Sequence, residues 1–143
     1  MGCYLLIVRL CRALLLITDL GFLVYWALSL GKVLPPEWLF RDHADPMMQA
    51  WNLSFLPLDL AVSATGLASL AVRAKCPGSS RALLLLSLVA TSISGLQAIA
   101  FWAVRADFEI GWWAPNLFLL VWPLPFLARM VWTSDVDATP ELS

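Results

Sequence analysis

Charged residues are scarce in this sequence. Asp, Glu, Lys and Arg make up 13% of the 143 residues, whereas hydrophobic residues make up 61%. Soluble domains carry about 25% charged residues, so this chain has too few to cover a water-facing surface. The formal net charge is −1, from nine basic and ten acidic residues. This balance argues against a nucleic-acid partner, which would need a clustered basic face.

Cysteine is also rare, and the familiar catalytic motifs are missing. Cys3, Cys11 and Cys76 have neither CxxC spacing nor an even count, so neither a zinc site nor a disulfide framework is predicted. The sequence contains no glycine-rich phosphate loop, no nucleophile elbow and no HExxH, which are the signatures of common enzyme classes. We therefore predict no metal site and no cofactor, and the absence of these motifs favours a protein that is not an enzyme.

Four long apolar runs are the main positive feature. Each is close to the ~20 residues that cross about 30 Å of hydrocarbon. Because no backbone polar group can stay unpaired in lipid, these runs should be helices. We predict an all-α integral membrane protein, a four-helix antiparallel bundle over residues 1–132 followed by a polar, disordered cytoplasmic tail over 133–143. The predicted helices cover residues 10–31, 48–72, 82–104 and 113–132, and the proline- and glycine-containing turn at 75–80 should interrupt the helical pattern.

The basic residues near the span ends indicate an orientation. Lys and Arg are enriched on the cytoplasmic side of membrane proteins, and six lie on one predicted side against three on the other. The six are Arg9, Arg12, Arg73, Lys75, Arg81 and Arg129, and the three are Lys32, Arg41 and Arg105. We therefore predict a multi-pass protein of the cell membrane with both termini in the cytoplasm.

Two aspartates lie inside the predicted spans. Asp19 and Asp59 have no Lys or Arg around them between residues 13 and 30 or between 48 and 72. A charge at the bilayer centre costs roughly 2.5–3.5 kcal/mol on insertion scales, so such residues usually face a protein interior. Asp19 lies eleven residues before Leu30 and Asp59 eleven residues after Met48, which places each about 16 Å from the outer end of its span at 1.5 Å per residue. Both are thus near the midplane of neighbouring helices, where the two carboxylates could meet.

Several neutral residues are candidate partners for the two carboxylates. If both carboxylates face one cavity, a cationic ligand would be stabilised by their charge and by aromatic faces, and a shared proton is an alternative. The structural alternative is that each aspartate only hydrogen-bonds a neighbouring helix. The candidate binding residues are Asp19, Asp59, Asn52, Gln97, Asn116, Tyr25 and Trp26.

Small and polar residues form a stripe on each of two predicted helices. Such residues drive contacts between helices in lipid, so the stripes should face each other or the bundle centre. Pro57, Pro123 and Pro125 should also weaken the helical hydrogen bonding around them. The first stripe is Asn52, Asp59, Ser63 and Gly66, and the second is Ser87, Thr91, Ser94 and Ala98.

Several segments between residues 16 and 129 resemble the YvaD-like family of small bacterial membrane proteins. The resemblance implies a four-helix integral protein of the bacterial inner or plasma membrane with no assigned biochemical role, and it carries over no site residue. The segments include Thr18-Asp19-Leu20-Gly21-Phe22, Tyr25-Trp26, Glu37-Trp38-Leu39-Phe40, the run from Trp51 to Leu60 with Pro57 and Asp59, Phe101-Trp102, Trp113-Ala114-Pro115-Asn116-Leu117 and Trp122-Pro123-Leu124-Pro125-Phe126.

Two functional hypotheses remain open at this point. In the first, a polar intramembrane site around the two aspartates binds a small cationic or lipid-like ligand, a cation or a proton. In the second, the chain is a structural or regulatory membrane subunit whose polar stripes bind another membrane protein or a second copy of itself. Both hypotheses have the lipid bilayer as the surrounding partner.

Overall fold

A computed structural model describes residues 2–40 and 42–137, and every regular element in these ranges is helical. Four stretches are long and apolar enough to cross a membrane, namely Leu5–Leu30, Pro46–Val72, Pro77–Val104 and Ile110–Trp132. The prediction of an all-α chain with four membrane-length helices is thus confirmed. The elements are α1 (Gly2–Leu30), a short 3-10 turn (Pro36–Trp38), α2 (Pro46–Ser54), α3 (Leu56–Val72), α4 (Pro77–Val104), α5 (Ile110–Val121) and α6 (Leu124–Asp137).

The predicted second helix is divided at Phe55. Asp45 caps the start of α2, because its side chain accepts a hydrogen bond of 2.9 Å from the Met47 backbone N–H, and Pro46 follows at the first helical position. Pro57 then lies in the first turn of α3, where its missing N–H costs least. Phe55 therefore separates two helical pieces within one candidate span, as expected from the proline.

The prediction for residues 75–80 was wrong in one respect. The turn was expected to stay non-helical up to Ser80, but α4 already begins at Pro77. Proline suits the first position of a helix, since its N–H would have no helical partner there and its φ is already helical. Gly78 and the serines after it belong to the first turn of α4, so the connection from α3 is only a few residues long.

The last candidate span is also divided by proline. Helix α5 ends at Val121 and α6 begins at Leu124. Pro123 and Pro125 lie at this junction and cannot donate backbone hydrogen bonds. Helix α6 continues to Asp137, past the predicted boundary at residue 132. The rest of the predicted disordered tail, residues 138–143, lies outside the described residues.

The chain forms two compact units, Met1–Ala90 and Thr91–Ser143. In the first unit, α1 packs against α3, and their contacts run antiparallel: Asp19 meets Ser63 and Trp26 meets Asp59. The start of α4 packs against the end of α3, where the Ser80 hydroxyl donates to the Ser69 carbonyl at 2.7 Å.

The second unit contains the end of α4 together with α5 and α6. Gly95 brings α4 close to α5, since a Cβ at Gly95 would lie 2.5 Å from both the Asn116 carbonyl oxygen and the Leu120 backbone nitrogen. The Trp102 and Trp112 rings stack with their centroids 6.1 Å apart. The single four-helix bundle and the cytoplasmic termini stay predictions.

Candidate functional site

Asp19 is the most unusual side chain in the first unit. It lies in the middle of α1 and has 0% exposure. Within the described residues, neither carboxylate oxygen has a hydrogen-bond partner. A buried polar group without a partner costs free energy, and a buried ionised carboxylate costs much more. Among the described residues, nothing offsets the cost of burying the Asp19 carboxyl group.

Gly66 of α3 makes room for the Asp19 side chain. A Cβ at Gly66 would overlap Asp19 Oδ2 and would lie 2.8 Å from Asp19 Cγ. The same Cβ would lie 2.8 Å from Ser87 Oγ of α4. The carboxylate of α1 and the hydroxyl of α4 thus converge over the one residue of α3 that has no side chain. We call Asp19, Gly66 and Ser87 the acid niche.

Asp59 has a different environment from Asp19. It lies in the first turn of α3, with 4% exposure. Its Oδ2 accepts a hydrogen bond of 3.0 Å from the indole N–H of Trp26, which is itself buried. This hydrogen bond offsets part of the cost of burying the carboxyl group. Asp59 is therefore built into the contact between α1 and α3.

The Ser63 hydroxyl lies between the backbone carbonyl groups of the two aspartates. Its hydroxyl lies 2.9 Å from the Asp19 carbonyl oxygen and 3.0 Å from the Asp59 carbonyl oxygen, so it can donate to either. The first of these acceptors is on α1 and the second is one turn earlier on α3 itself. This serine fixes the level at which α1 meets α3.

The structure does not bring the two carboxylates together. On α1, Trp26 follows Asp19 by seven residues, and on α3, Gly66 follows Asp59 by seven. Because the Asp19 side chain meets Gly66 and the Asp59 side chain meets Trp26 on antiparallel helices, the two carboxylates lie about two turns apart, or about 10 Å. Each helical side chain also tilts towards the N-terminus of its own helix, so the two carboxylates point in opposite directions.

A second side-chain hydrogen bond lies beside Asp59. The Tyr25 hydroxyl donates to Asn52 Oδ1 at 2.8 Å, which joins α1 to α2. The Tyr25 ring also meets the Trp26 ring edge-on, with centroids 5.1 Å apart. Five of the predicted candidate residues, Asp19, Tyr25, Trp26, Asn52 and Asp59, thus occur in the first unit, in two separate groups.

The other two candidates lie in the second unit. Gln97 is exposed on α4. Asn116 is half-buried on α5, and its amide nitrogen donates to the Trp112 carbonyl of the same helix at 2.7 Å. The described contacts of these two residues do not involve either aspartate. Their membership of a common site stays a prediction.

Gly66, Ser63 and Ser87 were not predicted to belong to the site. All three were placed in the small-residue stripes, and all three are buried. One signal could have identified Gly66: it lies seven residues after Asp59 on the same face of α3. Within the described ranges, no group of three or more His, Cys, Asp or Glu side chains is arranged to hold a metal ion.

The fold and the acid niche define an all-α protein with four membrane-length apolar helices and two buried carboxylates in its first unit. The chain belongs to a family of unknown function, DUF5360, which it matches over residues 11–137. It is 42% identical over 119 residues to the uncharacterized protein YvaD of Bacillus subtilis (strain 168), covering 83% of this chain and 90% of YvaD. No solved structure matches the chain significantly. The predicted resemblance to the YvaD-like family is confirmed.

Proposed function

We propose that this protein is a multi-pass integral membrane protein of the bacterial cell membrane, with a polar site at Asp19 inside the membrane that binds a proton or a small cation. The length of the candidate spans supports insertion. They contain 26, 27, 28 and 23 residues, so even the shortest would extend about 34 Å as a continuous helix. This length exceeds the roughly 30 Å thickness of the hydrocarbon core.

The distribution of polar and apolar side chains supports the same proposal. Polar side chains such as Thr18, Ser63, Ser87 and Thr91 are buried, whereas many large apolar side chains are exposed. A water-soluble protein rarely exposes wide apolar patches. Lipid removes the hydrophobic drive between helices, so small and polar residues form the contacts instead. On α1, the exposed apolar side chains include Leu16, Ile17, Leu20, Leu23 and Val24.

The orientation can be tested with a natural cysteine. Cys76 is free and exposed in the connection between α3 and α4, which is predicted to be cytoplasmic from the distribution of basic residues. In a Cys3→Ser, Cys11→Ala background, a membrane-impermeant maleimide should fail to label Cys76 in intact cells and should label it in inverted vesicles. The control is Ala44→Cys, at an exposed position, in the same background with Cys76→Ser added. The maleimide should label this cysteine in intact cells and fail to label it in inverted vesicles. Labelling of Cys76 from outside intact cells would contradict the orientation.

One observation carries the proposed site: both carboxylate oxygens of the fully buried Asp19 are without a hydrogen-bond partner among the described residues. Asp59 receives an indole N–H from Trp26, but no donor in the part of the chain that the structure describes reaches the Asp19 carboxylate. Ionisable residues inside spans commonly belong to ion or proton pathways. Asp19 is therefore the residue at which we place the binding of a positive species.

The alternative function, a structural or regulatory subunit that binds another membrane protein or itself, has less support. It requires a polar stripe on the outside of the chain. Ser63, Gly66, Ser87, Thr91 and Ser94 of the two stripes are instead buried. Homodimerisation through the exposed apolar surface is compatible with either function.

Infrared difference spectroscopy can test the site. The carbonyl stretch of a protonated carboxyl group differs from the stretches of a carboxylate, so binding at Asp19 should change the spectrum of the purified protein when proton or cation concentration is stepped. We expect Asp19→Asn to remove this change. Asp59→Asn is the matched control, since an asparagine oxygen can still accept from the Trp26 indole, and it should keep the change. An identical spectrum for wild type and Asp19→Asn would refute the site.

A further inference from the structure

The chemistry of the acid niche restricts the ligand. The Asp19 carboxylate and the Ser87 hydroxyl are both oxygen ligands, and they flank the same point over Gly66. Oxygen ligands suit hard cations, whereas transition metals prefer sites with nitrogen or sulfur. The niche is therefore suited to a hard cation.

The charge of the niche restricts the ligand further. It contains one carboxylate, because Asp59 lies about two turns away and binds Trp26. A divalent ion at Asp19 would leave an uncompensated positive charge in a buried place, which is costly. Divalent sites in proteins usually combine several oxygen ligands, often with more than one carboxylate. A single carboxylate matches a monovalent cation.

The size of the niche restricts the ligand as well. A single methyl group at Gly66 would already overlap Asp19 Oδ2 and crowd Ser87 Oγ. The side chains of α1 and α4 approach α3 this closely at Gly66, which favours a bare ion over an ammonium group with organic substituents. A proton fits by size. Once bound, it would make Asp19 a carboxylic acid whose O–H needs a hydrogen-bond acceptor, and the described residues place none within hydrogen-bond reach of either Asp19 oxygen.

We propose that the acid niche binds a small alkali cation, Na⁺ or Li⁺, between the Asp19 carboxylate and the Ser87 hydroxyl. This inference rests on the proposed function, because it identifies the ligand class of the same site. Thr18 directly precedes Asp19 in α1. Its buried hydroxyl also has no hydrogen-bond partner among the described residues.

Thermal unfolding of the full-length protein in detergent, followed by tryptophan fluorescence, tests this proposal. Chloride salts of Na⁺, Li⁺, K⁺ and N-methylglucamine are compared at constant ionic strength. A ligand that binds only the folded state raises its stability as concentration rises. We expect Na⁺ or Li⁺ to raise the unfolding temperature of the wild type in a saturable way, with no such shift in Asp19→Asn. Equal shifts with all four cations would overturn the proposal.

Two serine variants keep the test decisive if Asp19→Asn fails to fold. Ser87→Ala removes a proposed ligand oxygen and should weaken binding of radioactive Na⁺, measured by equilibrium dialysis, by about tenfold or more. Ser80→Ala is the control, because Ser80 lies buried on the same helix and its hydroxyl binds the Ser69 carbonyl instead. Equal affinities for the two variants would overturn the proposal.

The failure of this inference can be distinguished from failure of the proposed function. If the infrared change disappears in Asp19→Asn but no cation shifts the unfolding temperature, Asp19 binds only a proton. That result overturns the alkali-cation inference and leaves the proposed function standing. If the infrared change also persists in Asp19→Asn, both proposals are wrong.

Discussion

Replacing Gly66 by alanine is expected to lower the free energy of unfolding by about 1–3 kcal/mol, the usual cost of adding a methyl group to a well-packed interior. The new Cβ would overlap Asp19 Oδ2 and press on Ser87 Oγ, and both side chains are fully buried. Both side chains are held between helices, so the added methyl group should push α1 or α4 away from α3. Unfolding in mixed micelles, followed by tryptophan fluorescence, would measure the change.

Gly21→Ala is the matched control for this prediction. Gly21 lies in α1, and a Cβ there would meet nothing within 4 Å. Alanine favours a helix over glycine by roughly 0.5–1 kcal/mol, so this variant should be neutral or slightly more stable. If Gly66→Ala unfolds like Gly21→Ala, the close approach of Asp19 to α3 is wrong, and the acid niche with it.

Trp26→Phe is expected to destabilise the first unit, because it removes the indole N–H that binds Asp59 Oδ2. Leaving a buried acceptor without this donor costs roughly 1–3 kcal/mol, although hydrogen bonds between membrane helices average only about 0.6 kcal/mol. A double-mutant cycle with Asp59→Leu isolates the pair. We expect the double variant to lose less free energy of unfolding than the sum of the two single losses. The difference should be about 1–2 kcal/mol, as for residues in direct contact.

Tyr25→Phe is the control for the cycle. It breaks the hydrogen bond between Tyr25 and Asn52, which also joins α1 to its neighbour but does not involve Asp59 directly. Its effect should add to that of Asp59→Leu with a much smaller coupling. Additive effects for Trp26→Phe and Asp59→Leu would show that the indole and the carboxylate do not interact.

Much of the fold could be predicted because the signals are local. Four apolar runs of span length define four helical stretches, and Pro57 and Pro123 mark the breaks within two of them. Burial of Asp19 and Asp59 also followed from the cost of exposing a carboxylate to lipid. The start of α4 was misplaced because Pro77 was interpreted as a helix breaker, although proline also suits the first position of a helix.

The separation of the two carboxylates could not be predicted from depth alone. Both aspartates lie at the same number of residues from their predicted span ends, which suggested one level. The level at which α1 meets α3 depends instead on which side chains fit together, here Asp19 with Gly66 and Trp26 with Asp59. A small-residue stripe indicates which face of a helix packs, but it does not identify the residue that packs on it.

The contacts between α1 and α3 also restrict how the first unit can move. Trp26 with Asp59, Ser63 with the Asp19 carbonyl, and Gly66 with the Asp19 carboxylate follow one another over about two helical turns. A piston-like displacement of α1 by one turn, about 5.4 Å, would break all three at once. Phe55 separates α2 from α3. Bending at this residue can leave all three of these contacts intact. Flexing at this joint would therefore keep the three α1–α3 contacts and strain the Tyr25–Asn52 hydrogen bond that joins α1 to α2.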